Sequence, residues 1–410
     1  MALFRYRGLP LAGVLLFAAL VFALTSRFLN ATAVPLDPKE VNSLNIQGIT
    51  YLQKVRETGD PTYYGKAEAA FDAAFKLDSQ NVNTLVGKGT LALARHQFAA
   101  GLELGQQAHD LDPSRVLVYG VVGDAQTELG QYDAALDTVQ TMVDKRPDLS
   151  SYSRASYQRE LHGDSEGAIG LMQQAVQSGG PNAENVQWVR VQLGNLYFNK
   201  NDLVAAEREY QHALVALPNY AYAQAGLAHV RAAQGRSDEA IALYTEAIQR
   251  IPLPEFVIAL GETEQAAGQQ AKANEQYGLL RVIEKLFQAN GVNTDMELAL
   301  FEADHGDAQQ ALTQARTAYA ERPNYKAADT LAWALSQAGQ QAEATKYVQE
   351  AMKIGTQDGL MFYHAGVIAA RNGDKTTARA RLEQALLVNP NFSPIYVPAA
   401  RQMLTQIAAK

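Results

Sequence analysis

Residues 193–218 read LGNLYFNKNDLVAAEREYQHALVALP, and the spacing inside this stretch decides the fold. Ala206, Tyr210 and Ala213 recur at intervals of four and three, which places them on one face of a helix. Asn201 stands where a preceding helix must end in a left-handed residue, and Asp202 is a residue type that opens the next one. Pro218 cannot continue a helix and starts a new unit. The stretch is therefore two helices joined by a tight turn and closed by proline.

The same marks recur outward in both directions. Pro113, Pro147 and Pro181 lie 34 residues apart, and Pro218 to Pro252 is again 34. Gly130, Gly163, Gly235, Gly268, Gly306, Gly339 and Gly373, with Asn201 in the open slot, recur at steps of 33, 38, 34, 33, 38, 33 and 34. Five residues after each comes an alanine: Ala135, Ala168, Ala206, Ala240, Ala273, Ala311, Ala344 and Ala378. Seven further on stand Ala175, Ala213, Ala247, Ala318, Ala351 or Ala385, with Met142 and Leu280 as exceptions. Alanines seven apart share a helical face, where a small side chain lets a neighbouring helix approach closely. A lone helix pair cannot bury both its faces, so such units must stack into a solenoid.

Leu193-Gly194-x-x-Tyr197, followed by Ala206, Tyr210, Ala213 and Pro218, resembles the tetratricopeptide repeat consensus. Leu227-Ala228, Ala240, Tyr244, Ala247 and Pro252 resemble it again. The resemblance covers residues from about 41 to 394. It implies an all-α fold, a right-handed superhelical solenoid of about ten helix pairs, here preceded by one N-terminal apolar helix. The expected organisation is a signal peptide or transmembrane anchor over 1–33, a linker over 34–40, the solenoid over 41–394 and a capping helix over 395–410. The two 38-residue steps predict an insertion at Ser178 to Asn185 and a longer second helix running to about Ala289.

With 47% hydrophobic and 19% charged residues among 410, the chain has ample apolar surface to fold. After residue 33 it carries 32 basic against 43 acidic residues, which disfavours a nucleic-acid role. Cysteine is absent, which removes thiol nucleophiles, disulfides and cysteine-ligated metals. Arg5 and Arg7 precede the uncharged run Leu9 to Leu24, the layout of an export signal or signal anchor. With Thr25 and Ser26 the run is at the short end of what spans a bilayer. Ala31-Thr32-Ala33 offers a cleavage signal, but it lies far past the run and beyond Arg27. An uncleaved single-pass anchor through residues 9–26 is the favoured expectation, with secretion after cleavage near Ala33 as the alternative. The basic N-terminal side predicts that the repeats lie outside the cytoplasm, although Arg27 and Lys39 weaken that bias.

No catalytic arrangement emerges. The seven histidines show no metal-protease spacing, and phosphate-loop and nucleophile-elbow motifs are absent. Glu302, Asp304, His305 and Asp307 form the densest polar cluster, but Gly306 marks it as a turn between helices. No cofactor is expected, and an enzyme with a site hidden in the groove is the least favoured reading.

The family resemblance implies a concave groove, lined by the first helix of each unit, that takes a peptide or helix. On those helices stand Tyr157, Trp188, Asn195, Phe198, Asn199, Tyr222 and His229, with Trp333 and Tyr363 further on. Rings supply contact area at low entropic cost and amides bond a peptide backbone. Asn195 and Asn199 lack the Lys and Arg pair with which some members of the family clamp a terminal carboxylate. The functional expectation is a scaffold for a protein or peptide partner facing the extracytoplasmic side, with a cytoplasm-facing anchored regulator of envelope assembly as the alternative.

Overall fold

The computed structural model describes residues 38–180 and 182–409. The apolar run Leu9 to Leu24, and with it the expected anchor or signal helix, lies outside the described residues. No helix among the described residues is long and apolar enough to cross a membrane. They form 21 helices and no strand.

The first helices of ten successive hairpins are α1 (Pro38–Thr58), α3 (Val82–Ala94), α5 (Val116–Glu128), α7 (Leu149–Leu161), α9 (Ala183–Asn199), α11 (Ala221–Ala233), α13 (Pro254–Ala266), α15 (Asp295–His305), α17 (Tyr325–Gln337) and α19 (Gly359–Arg371). Their partners are α2 (Thr62–Leu77), α4 (Phe98–Leu111), α6 (Tyr132–Lys145), α8 (Ser165–Ser178), α10 (Leu203–Ala216), α12 (Ser237–Arg250), α14 (Gln270–Ala289), α16 (Ala308–Glu321), α18 (Gln341–Ala351) and α20 (Lys375–Val388). A lone α21 (Tyr396–Ala408) packs on α20 and closes the stack. Helices adjacent in sequence pack on one another, α14 meeting α15 through Tyr277 and Phe301, and the first helices of most adjacent hairpins also touch.

The local physics of the repeat is visible at each junction. The residue before each linker proline is extended, at Asp112, Arg146, Leu217, Ile251, Arg322 and Asn389, because the proline ring excludes the helical conformation there. Between the helices of a pair, Gly163 and Asn201 adopt φ of 79° and 60°. His96 takes the same left-handed slot, at φ 58°, without any mark that the glycine pattern could show. Gly306 departs from the pattern, with an extended φ of −136°. It is glycine for space, because a Cβ there would fall 1.6 Å from a Glu302 carboxylate oxygen. Among the residues that open second helices, Asp164, Asp202, Asp307 and Asp374 accept backbone N–H groups, while Gln97, Gln131, Gln269 and Gln340 make no such bond.

The alanines occupy the tightest contacts. Ala135, Ala168, Ala206, Ala240, Ala273, Ala311, Ala344 and Ala378 are all completely buried. A second device wedges rings between first helices. The Tyr210 ring lies where a Cβ on Gly194 or on Gly226 would sit 2.5 or 2.4 Å away, and Phe71 does the same to Gly48 and Gly87. Interiors at crystal-like density tolerate no added methyl at such points.

The solenoid closes on itself. In five successive hairpins the turn between the two helices meets a linker one superhelical turn further along. The bonded pairs are separated by 190 to 198 residues. Gly59 abuts Ile251. Asn293 N donates to Arg95 O at 2.9 Å, and His96 Nδ1 donates to Asn293 O at 2.8 Å. Asn324 Nδ2 donates to Glu128 O at 3.0 Å, Thr356 Oγ1 to Leu161 O at 2.6 Å, and Asn391 Nδ2 to Asn201 Oδ1 at 2.8 Å. At a 34-residue step this is between five and six hairpins per turn.

Both 38-residue steps serve this closure. The first lengthens α9 at its start, where the buried Glu184 accepts Arg56 Nη2 at 2.8 Å, Gln53 Nε2 at 2.9 Å and Tyr220 Oη at 2.6 Å. The second lengthens α14, and Val292 beyond it enters the core of the first hairpin with Val55, Tyr64, Phe71 and Leu91.

Replacing Gly226 by Ala should cost about 1–3 kcal/mol by overpacking against Tyr210, measured by urea unfolding. Replacing Glu184 by Ala should leave helicity intact while raising the radius of gyration in X-ray scattering, because the turns lose their cross-link. An unchanged scattering profile would show that Glu184 does not hold them together.

Candidate functional site

Because successive turns of the superhelix touch, the inner faces of the first helices border an axial space that stays open to solvent. Two adjoining cavities occupy it. The larger, about 560 Å³, lies between α5, α7 and α9 on one turn and the starts of α17 and α19 with the Asn389 linker on the next. The smaller, about 480 Å³, is bounded by α9, α11 and α13 and by the segment 390–398. Asn195, Phe198, Asn199 and Phe392 line both, so the two are continuous. Lys326, Glu255 and His229 retain accessible surface although protein surrounds them, as side chains bordering an internal space must.

The structure brings together six of the seven residues read from sequence as groove positions. Tyr157, Trp188, Asn195, Phe198 and Asn199 line the first cavity, and His229 joins Asn195, Phe198 and Asn199 in the second. Tyr222 is elsewhere. Its hydroxyl donates to the Arg56 carbonyl at 3.3 Å and its ring packs between Tyr220 and Phe256, so it joins the turns rather than facing a cavity. Trp333 and Tyr363 are core residues, 2% and 6% exposed. Trp333 stacks on His364 at 4.3 Å and donates Nε1–H to Asp304 at 2.6 Å. Burial opposes charge on His364, but Asp329, 2.9 Å from Nδ1, outweighs it and raises the imidazole above its ordinary value.

Sequence reasoning did not reach the charges of the first cavity, which come from hairpins far apart in the chain. Arg154 is held bidentately by Asp124 at 2.8 and 2.7 Å. Glu160 accepts Asn199 Nδ2 at 3.4 Å, and burial pushes its carboxyl up. Asp358 caps α19 by accepting Leu360 N and Met361 N, and burial raises it as well. The Lys326 ammonium has no hydrogen bond and no ion pair within 4 Å among the described residues. Tyr157 is pushed up to about 12 by burial.

The second cavity is poorer in charge. Burial pushes His229 down to about 4, so it is neutral at pH 7, stacked on Phe198 and edge-on to Tyr244. Burial, reinforced by Asp304, pushes Glu262 up to about 8. The Glu302, Asp304, His305 and Asp307 cluster disperses to separate partners. Glu302 pairs with Arg281, Asp304 takes Trp333, His305 stacks on Tyr277 at 4.3 Å, and Asp307 caps α16. Among the described residues no group of three His, Asp or Glu side chains is placed to hold a metal ion.

Fold and repeat geometry together define a solenoid of tetratricopeptide-type hairpins, and residues 191–253 match the tetratricopeptide repeat family model. No curated protein matches the chain. Solved structures that it is similar to include TTC0263, a thermophilic tetratricopeptide protein of Thermus thermophilus, at 22% identity over 45% of this chain and 98% of that one, with a TM-score of 0.40. Human IFIT1, solved as a dimer with PPP-AAAA, is 14% identical over 80% of this chain and 81% of its own, with a TM-score of 0.45. YrrB, a tetratricopeptide protein with an unusual peptide-binding site, is 18% identical over 46% and 95%, with a TM-score of 0.31. These likenesses concern repeat architecture and carry no functional argument.

Two buried carboxyls predict how stability follows pH. Glu284, on α14, has both oxygens buried without a partner and is pushed up to about 8, first by burial and then by Glu302. Glu262 shares that value. Unfolded, both ionise near the ordinary 4.5, so between about 4.5 and 8 the folded chain holds more protons than the unfolded one. Stability should therefore be greatest at the acid end of this window, fall as pH rises through it, and level off above about 8. The loss should be on the order of a few kcal/mol. Urea midpoints measured across the window should decline for the parent chain and decline less for the double variant Glu262→Gln, Glu284→Gln.

Proposed function

We propose that this chain is a membrane-tethered or exported scaffold that engages a protein partner through the inner face of its superhelix. Protein–protein interaction is the typical use of a tetratricopeptide-type scaffold. The observation that carries the assignment to the inner face is the convergence of Tyr157, Trp188, Asn195, Phe198, Asn199 and His229 on two continuous cavities. Pockets that hold ligands combine apolar and aromatic walls with a few polar groups that fix orientation, and this pair has that composition. The sizes suit side chains and short backbone segments rather than a whole helix. Attachment through residues 9–26, with the repeats outside the cytoplasm, is supported by the basic flank and the apolar run alone. No catalytic role is proposed.

A photo-crosslinking residue placed at Phe198 should capture a partner in the native host, while one at Val204, 79% exposed on the outer side of α10, should not. Replacing Asn195, Phe198 and Asn199 together by Ala should abolish that capture without changing helicity. Equal capture from Val204 would move the interaction to the outer surface. A reporter enzyme active only outside the cytoplasm, fused to Lys410, should be active; an inactive fusion with an active cytoplasmic reporter would reverse the orientation.

A further inference from the structure

The second cavity contains a carboxyl group that the fold has left without a cation. Glu262 stands in its wall, and neither Lys nor Arg lines the cavity. No Lys, Arg or His lies within ion-pair distance of Glu262 among the described residues. The groups that face it from the packed elements are Ser393, Asp304, Tyr244, Tyr277 and Tyr396. Asp304 adds a second negative charge. His229 on the same wall is neutral and supplies none of the missing positive charge.

A second observation stands apart from the acids. Tyr244 lines this cavity, its side chain is only 1% exposed, and its hydroxyl has no hydrogen-bond partner. An unmet buried hydroxyl costs on the order of 1–3 kcal/mol unless something bonds it. The opposite wall is also poor in donors. Pro390, Pro394 and Pro398 carry no N–H, and the N–H groups of Asn391, Phe392, Ile395, Tyr396 and Val397 are used within the segment itself. The Asn195, Asn199 and Asn391 amides and the Thr263 hydroxyl already donate to other partners, so with Glu262 lacking a cation and the stacked Phe198 and His229 rings in the wall, the site is complementary to a donor-rich cation.

We propose that this cavity receives an organic cation, the guanidinium or ammonium of an arginine or lysine side chain carried on a bound polypeptide, with Glu262 as its counter-ion and Tyr244 as a further hydrogen-bonding group. The inference rests on the inner face being a docking surface, and names the chemistry that surface selects. A basic side chain in the second cavity leaves the first, with Trp188, Tyr157 and the Asn195 and Asn199 amides, for the neighbouring residues of the same segment.

The test uses the full chain and three fluorescein-labelled synthetic peptides of one apolar framework, carrying arginine, glutamine or glutamate at alternate positions, read by fluorescence anisotropy. The arginine peptide should bind at least about tenfold more tightly than the glutamine peptide, and the glutamate peptide more weakly than either. Glu262→Gln should remove most of that preference, and Tyr244→Phe part of it. Glu262→Gln replaces a carboxyl that burial already holds largely protonated with a neutral group of the same shape, so it should fold at least as well as the parent. Glu275→Gln, on the outer side of α14, changes net charge equally and should leave the preference intact. Equal binding of the arginine and glutamine peptides, both abolished by Asn195→Ala with Asn199→Ala, would overturn the cation site while leaving the docking surface standing. A preference untouched by Glu262→Gln would overturn it too, and binding of none of the three peptides would overturn site and surface together. Spermidine alone should not displace the arginine peptide at comparable concentration. Full displacement would assign the cavity to a free polyamine and overturn its assignment to a polypeptide.

Discussion

Each first helix ends on a turn whose carbonyls point away from the helix, and a carbonyl left bare on a buried surface is costly. In this chain a linker one superhelical turn away satisfies several of them, at Arg95, Glu128 and Leu161. That closure converts a curved sheet of hairpins, which would present an open trough, into a wall around an internal space. The two cavities, the raised carboxyls and the unpaired Lys326 all depend on it. Five contacts repeated at nearly constant sequence separation also mean that the pitch is set by bonding between turns as well as by packing between neighbours.

Closure explains the pattern of charge inside. On an open concave surface Glu160, Glu255, Glu262 and Asp358 would each be solvated by bulk water and ordinary. Surrounded by protein, all four are pushed up by burial. Such groups are expensive to keep, and a fold that needed only stability would place apolar residues there. Their opposition to the fold is balanced by the dense alanine and ring packing between hairpins, where Ala206 and Ala240 are wholly buried and Tyr210 fills the space left by two glycines. Stability resides between helix pairs, and the polar groups that work against it are confined to the inner face.

The all-α fold, the hairpin and the repeat step were legible because they are local. Ala206, Tyr210 and Ala213 share a face by arithmetic alone, and a linker proline keeps the residue before it out of the helix, as at Leu217 and Ile251. Six of the seven proposed groove residues share the two cavities because the inward side of a first helix is also a local property. What was not legible depends on angles that accumulate over several hairpins. Tyr222 sits on a first helix like its neighbours, but the closing turn brings Arg56 over it. Trp333 and Tyr363 are drawn into the core with Phe392 and Tyr396 by the capping segment. Lys326 shares a cavity with Arg154 and Glu160 only because hairpins one superhelical turn apart are stacked, and no window of sequence contains that fact.

The two irregular steps bear on how such a pitch can be specified. A regular array carries nothing that says which hairpin should lie beneath which, since every linker offers the next turn a similar surface. Here one added stretch places Glu184 opposite Gln53, Arg56 and Tyr220, and the other carries Val292 into the core of the first hairpin. Both contacts tie the first two hairpins to particular later ones. A slip by one hairpin would leave Glu184 buried without its cation and Val292 without its pocket, so the irregularities penalise the alternative stackings that the repeat itself permits. Register along the solenoid is then fixed at its beginning, and the remaining closures at Glu128, Leu161 and Asn201 follow from the constant step.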